Sequence, residues 1–310
     1  MFNLDGINHY GEMSIQDIIL DNVVQFLRYG FLQIGAYVNI GYQELDSRGN
    51  DMSLLTPLSV PGTTDYTIYK GRKHDWVWEN NITLKPTGVD QPVRISGIYV
   101  NSTYYPTGST VLGTGYYIDF TRGHVVFSNP LPSSYIVQVP HTLRWVQIYT
   151  DRSYEYRKLS YDWLNSTGGS GLDYGAYEKA FLPCIVVTPT KLITIQGWEL
   201  GGRSKVLNCN IDFNILAAND YERDKLTDIC QFLETKTIPF FDAKNYPKPL
   251  NYRGEISSGT MFWPNMVSGY PLNYSARFME NAKTYKINRP TLPVKASKVS
   301  IGLELVVAPY

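Results

Sequence analysis

Residues 205–233 carry an alternating strand, a turn and a capped amphipathic segment, and residues 296–307 carry a second long alternating strand. Leu207, Cys209, Ile211, Phe213 and Ile215 fall at every second position, with Asn208, Asn210, Asp212 and Asn214 between them. Side chains of a strand alternate between its two faces, so one face here is apolar and the other amide-rich. Asn219 then stands three residues before Glu222, the spacing of a capping box, and Leu226, Ile229, Cys230 and Leu233 recur at helical spacing. The expectation is a helix of roughly four turns lying on a sheet. Near the end Val299, Ile301, Leu303, Leu305 and Val307 alternate with Lys298, Ser300, Gly302 and Glu304, a pattern that pairs inside a sheet. The expected fold class is therefore α+β, a mixed or antiparallel sheet with packed helices.

The N-terminal part repeats the theme. Ser14 precedes Asp17 by three residues, and Ile15, Ile18, Ile19, Val23, Phe26 and Leu27 share one helical face up to Gly30, the expected stop. Straight afterwards Leu32, Ile34, Ala36, Val38, Ile40 and Tyr42 alternate with polar or small residues, which predicts a long strand. Periodicity is lost over 45–64, where Pro57, Pro61 and Gly62 signal a loop. Short β-type runs follow at 65–69, 75–84, 93–100, 115–120, 124–128, 135–140 and 143–149, each bounded by turn residues, and they predict an inserted all-β sandwich or small barrel. Within it Thr121-Arg122-Gly123 joins two alternating runs as a hairpin, with Gly123 free to take a left-handed conformation. Residues 151–180 read as a linker around Gly168-Gly169-Ser170-Gly171, and a second set of strands begins near 181. The expected division is thus 1–64 with 181–310 as a split α+β core around a β domain at 65–150, so that strand 32–42 would pack with 207–215.

Composition removes several functions. Lys plus Arg and Asp plus Glu number 28 each, so no global charge attracts nucleic acid or an anionic membrane. No run approaches the roughly 18 apolar residues of a membrane span, and the first residues lack a leader pattern. The expectation is a soluble protein made in a cytoplasm. The 25 tyrosines instead favour protein contacts, since Tyr offers large contact area at low rotamer cost. Cys184, Cys209 and Cys230 sit in apolar contexts without a CxxC motif and are expected as buried thiols.

Enzyme-like constellations are sparse. His74-Asp75-Trp76-Val77-Trp78-Glu79 gathers two carboxylates, an imidazole and two indoles. As a strand, Asp75 and Glu79 would share one face about 13 Å apart, beyond the roughly 5–9.5 Å of glycosidase carboxylate pairs. His9, His74, His124 and His141 are scattered singly, with no metal-ligand spacing. The glycine-rich pieces lack phosphate-loop order, and no nucleophile elbow occurs. No catalytic, cofactor or metal residue is expected. The candidate interface or sugar-stacking residues are Trp76, Trp78, Tyr104, Tyr105, Tyr116 and Tyr117, with ordinary core or subunit packing as the competing explanation for each.

The order of strand 206–216, helix 220–233 and terminal strand 298–307 resembles tail-terminator and related neck proteins of tailed bacteriophages, and helix 14–29 would be the N-terminal helix of that pattern. The run Tyr116-Tyr117-Ile118-Asp119-Phe120-Thr121-Arg122-Gly123-His124-Val125-Val126-Phe127 looks like β modules of phage virion proteins. The chain is longer than a typical terminator, by about the β insert. The resemblance implies a non-enzymatic virion protein, assembled in the host cytoplasm into a six-fold or twelve-fold ring at the neck or tail end. Its implied partners are copies of itself, tail tube, sheath and connector or portal-side proteins, with nucleic acid only as genome passing through the channel and no membrane. The alternative is a receptor- or glycan-binding tail or baseplate module.

Overall fold

The computed structural model describes residues 15–58, 66–79, 82, 84, 92, 94–151, 181–189, 194–197, 205–243, 245–246, 248–257, 262–287 and 294–307. All but the first residue of the expected linker 151–180 lies outside them. The chain is α+β and mostly sheet. It forms two units, one from 1–29, 146–246 and 263–310, the other from 30–145 and 247–262.

The first unit is built on the two long strands that the sequence announces. β14 (Lys205–Ala217) and β18 (Lys295–Val307) run antiparallel in unbroken register from Lys205↔Val307 to Ala217↔Lys295. Cys209, Ile211, Phe213 and Ile215 are buried, as are their partners Leu303, Ile301 and Val299. Burying each such side chain stabilises the fold by about 1.5–3 kcal/mol. The amide face is managed by pairing, as where Lys298 Nζ lies 2.7 Å from the Asp212 carboxylate. Around this pair the sheet order is β11 (Gln147–Thr150), β12 (Cys184–Pro189), β14, β18, β16 (Pro271–Phe278), β15 (Thr237–Phe241), with β13 (Thr194–Gly197) on β14 and β17 (Lys283–Ile287) on β18. Among the described residues of this sheet only β11 and β12 pair in parallel.

The predicted helix is α2 (Asp220–Gln231). Asn219 is extended and its Oδ1 accepts from the Glu222 amide at 2.8 Å, capping a free helix N–H. Leu226, Thr227 and Cys230 face the sheet, and the Thr227 and Ser297 hydroxyls meet at 2.6 Å, fixing the helix on β18.

α1 (Ile15–Gln33) outruns its expected stop. Gly30 stays helical, and the helix closes at Gly35, which has φ +79°. The Ala36 amide bonds to Phe31 O at 2.9 Å and the Gly35 amide to Leu32 O at 3.0 Å, the paired bonds of a Schellman end. Leu27, Phe31 and Leu32 are buried, so the helical period carries on through residues whose alternation also suits a strand. The expected strand 32–42 consequently shrinks to β1 (Tyr37–Ile40).

β1 opens the regular strands of the second unit. It pairs with β10 (His141–Arg144), from Tyr37↔Arg144 to Ile40↔His141, instead of with 207–215. The described residues 30–58 therefore group with the β segment and not with the α+β core to which 1–64 was expected to belong; the backbone ladder to β10 decides it. At the other end, the single run expected at 143–149 breaks at Trp145-Val146, giving β10 to this unit and β11 to the first.

The rest of the unit is antiparallel. A five-stranded sheet orders β2 (Thr56–Pro57), β3 (Tyr66–Lys70), β8 (His124–Leu131), β7 (Thr114–Asp119) and β6 (Thr110–Val111). A three-stranded one orders β5 (Thr103–Pro106), β4 (Gly97–Val100) and β9 (Val137–Gln138). The predicted hairpin is β7–β8, in register from Tyr116↔Phe127 to Asp119↔His124, with Gly123 at φ +64°.

Candidate functional site

Residues 74–79 do not form the strand that the sequence suggests. Asp75 sits at φ +58°, in the left-handed region, and only Trp76 bridges a neighbour, Leu143. The backbone is held by neighbours on both sides: Trp76 N–H donates to Phe120 O at 2.8 Å and Val77 N–H to Thr142 O at 2.9 Å. The 13 Å separation of the two carboxylates presumed an extended chain, so it fails. Asp75 and Glu79 instead converge on Arg144, whose Nε lies 3.4 Å from Asp75 Oδ2 while its Nη2 donates to Glu79 Oε2.

This cluster is interior, with only 2% of the Arg144 side chain and 3% of the Glu79 side chain exposed. Burial by itself would depress the Arg144 pKa, but Glu79 and then Asp75 hold the guanidinium above its usual value. The arrangement locks both carboxylates onto one cation and clamps segment 74–79 to β10.

Trp76 and Trp78 are 0% and 4% exposed, so neither offers a face to a sugar or a neighbouring chain. The Trp76 ring occupies space that side chains at Gly71 and Gly123 would fill, since a Cβ there would lie 2.6 Å and 2.9 Å from it. It also stacks on His141 at 4.4 Å between centroids. Burial pushes the His141 pKa down to about 4. His124 falls to about 4 as well, through burial first and then Lys70, Arg122 and His74. His74, His124 and His141 are all buried, and among the described residues no group of three or more His, Cys, Asp or Glu could hold a metal ion.

The four candidate tyrosines differ in setting, with Tyr105 half-buried on β5. Tyr104 is the exposed one, its OH donating to Ser96 Oγ at 2.9 Å and its ring 5.1 Å from Tyr99, which stacks on Tyr42 at 3.9 Å. Tyr116 is half-buried and donates to Tyr105 O at 2.8 Å, and burial pushes its phenol up to about 12. Tyr117 lies under the Arg253 guanidinium at 5.6 Å. Arg253 also lies over Tyr252, which is 87% exposed. Sequence spacing gives no hint of the Tyr42–Tyr99 stack or of the Arg253 contact, because both join distant segments.

In the first unit the informative feature is how sheet edges are closed. Asn22 of α1 is fully buried; its Oδ1 accepts from Phe241 N at 2.8 Å and its Nδ2 donates to Phe241 O at 3.0 Å, as a neighbouring strand would on β15. Arg28 of the same helix donates to Ile148 O of β11 at 3.2 Å. These two residues lie about 9 Å apart along the helix, so the sheet curls until its first and last strands both reach α1. A polar residue among Ile18, Ile19, Val23 and Phe26 was the sequence signal for this role. β17 differs: all five of its residues are exposed, and among the described residues β18 is its one strand partner.

No model of a known protein family matches the chain, and a search of curated proteins finds no significant match. Among the described residues no helix is long and apolar enough to cross a membrane.

Proposed function

We propose that this chain is a structural virion protein of a tailed phage that assembles into a ring at the neck or tail end, acting by surface matching. What carries the reading is β17. Its backbone edge is open among the described residues and flanked by exposed Tyr285 and Ile287, while α1 side chains bond to the outer strands β11 and β15. An exposed edge recruits another chain's backbone unless something blunts it, and Lys283 and Lys286 restrict which chain can approach. The partners are further copies, with tube, sheath and connector proteins above and below the ring. Mass photometry and electron microscopy of the purified chain and of virions test this; rings and incorporation are expected, and a strict monomer absent from particles refutes it.

A second reading, glycan binding, keeps support from Tyr104 and its stacked neighbours but not from the buried indoles. Glycan-array binding that disappears in Tyr104→Ala favours it.

A further inference from the structure

α2 and its C-cap residue Phe232 present two highly exposed large side chains at opposite ends of one stripe. Tyr221 and Phe232 are each 75% exposed, and Lys225 and Asp228 are exposed between them. At about 100° per residue the four side chains fall within roughly 60° of each other over about 17 Å of helix. The opposite face, with Leu226, Thr227 and Cys230, is already spent on the sheet. Carboxylates beside the stripe are engaged elsewhere: Asp220 with Arg223 and Lys295, Asp224 with Arg223 and Lys286. Lys225 and Asp228 form no ion pair among the described residues.

The order of the stripe is self-complementary. Aromatic, cation, anion, aromatic stand at 221, 225, 228 and 232, spaced symmetrically about the midpoint between Leu226 and Thr227. Turning a second copy of the helix antiparallel about that midpoint sets Tyr221 against the partner's Phe232 and Lys225 against the partner's Asp228, and the same contacts recur on the other side of the axis. We infer that the exposed face of α2 is a two-fold interface with a second copy of this chain, α2 against α2 in antiparallel array. Isologous contacts require a self-complementary patch, and the charge order excludes the parallel arrangement, which would oppose Lys225 to Lys225 and Asp228 to Asp228. The two aromatic side chains supply the apolar contact area at each end, and the central charge pairs set direction and register.

This contact goes beyond the ring proposed above, whose head-to-tail contacts are heterologous; a wild-type chain that forms rings without pairing through α2 overturns this inference alone. Sedimentation equilibrium of the full chain is the primary measurement. Lys225→Asp or Asp228→Lys alone turns both symmetry-related attractions into repulsions and is expected to weaken association about tenfold. The swap Lys225→Asp/Asp228→Lys is expected to restore it, and because both positions are exposed the variants keep the fold, checked by circular dichroism. Mixing Tyr221→Cys chains with Phe232→Cys chains under mild oxidation should give the mixed disulfide in preference to either self-pair. A wild type that stays monomeric at its highest soluble concentration, a swap that fails to restore association, or equal cross-linking in all combinations overturns the proposal.

Discussion

Arg144→Met cuts the cation out of a buried triad and leaves Glu79, with a side chain 3% exposed, facing an apolar replacement. Breaking a buried ion pair by removing one partner costs about 3–5 kcal/mol, because the surviving charge has lost both water and counterion. The desolvation of Arg144 is offset in the native protein by two carboxylates, so removal strands two groups, and the upper half of that range is expected. With a urea dependence of about 2 kcal/mol per molar, the unfolding midpoint should fall by about 2 M. Trp76 and Trp78 lie in the same unit and are buried, so they contribute to a fluorescence change in this transition, followed together with circular dichroism because the chain holds four further tryptophans. The triple variant Asp75→Asn/Glu79→Gln/Arg144→Met removes all three charges; Asn tolerates the left-handed backbone at position 75, and most of the loss should return. A single variant within about 1 kcal/mol of wild type, or a triple variant no more stable than the single one, refutes the view that these charges clamp segment 74–79.

His124 and His141 have folded pKa values near 4 against about 6.5 unfolded. A depressed histidine binds its proton in the unfolded chain first, so stability is unaffected above about pH 6.5 and declines as the pH falls toward 4, by about 3 kcal/mol for each residue. His141→Phe should keep the stack on Trp76 and reduce the acid slope by about 1.4 kcal/mol per pH unit, measured by urea unfolding at a series of pH values. An unchanged slope would show that His141 titrates normally. Asn22→Leu leaves the N–H and C=O of Phe241 without their amide partner and should cost about 2–4 kcal/mol, each orphaned group costing about 1–3 kcal/mol less the gain from the added apolar surface. Hydrogen exchange at Phe241 should accelerate with it, and retained protection there counts against edge capping by α1.

Much of the scaffold was legible because local pattern and global pairing agree. The alternation in 205–217 and 295–307 commits those residues to a sheet whatever surrounds them, and the cap at Asn219 starts α2 where its side chain can bond Glu222 N. The hairpin at Gly123 is equally local. Legibility ended where two periods overlapped. Residues 31–34 satisfy both a helix and a strand, and the Schellman bonds at Gly35 decided between them. The candidate site fared worse for the same reason: one positive φ at Asp75 redirects a carboxylate, and no alternation pattern encodes that rotation.

By itself the sequence determined the two long strands, the capped helix, the hairpin and the burial of the three cysteines, all of which follow from periodicity, turn chemistry and apolar context within short windows. Tertiary structure alone decided that β1 belongs with β10, that Arg144 gathers Asp75 and Glu79, and that Asn22 and Arg28 bond to sheet edges. Those outcomes depend on partners 65 to 219 residues apart. The free energy of a buried charge or an unpaired backbone group is set by whichever group arrives opposite it, and that is a property of the assembled fold.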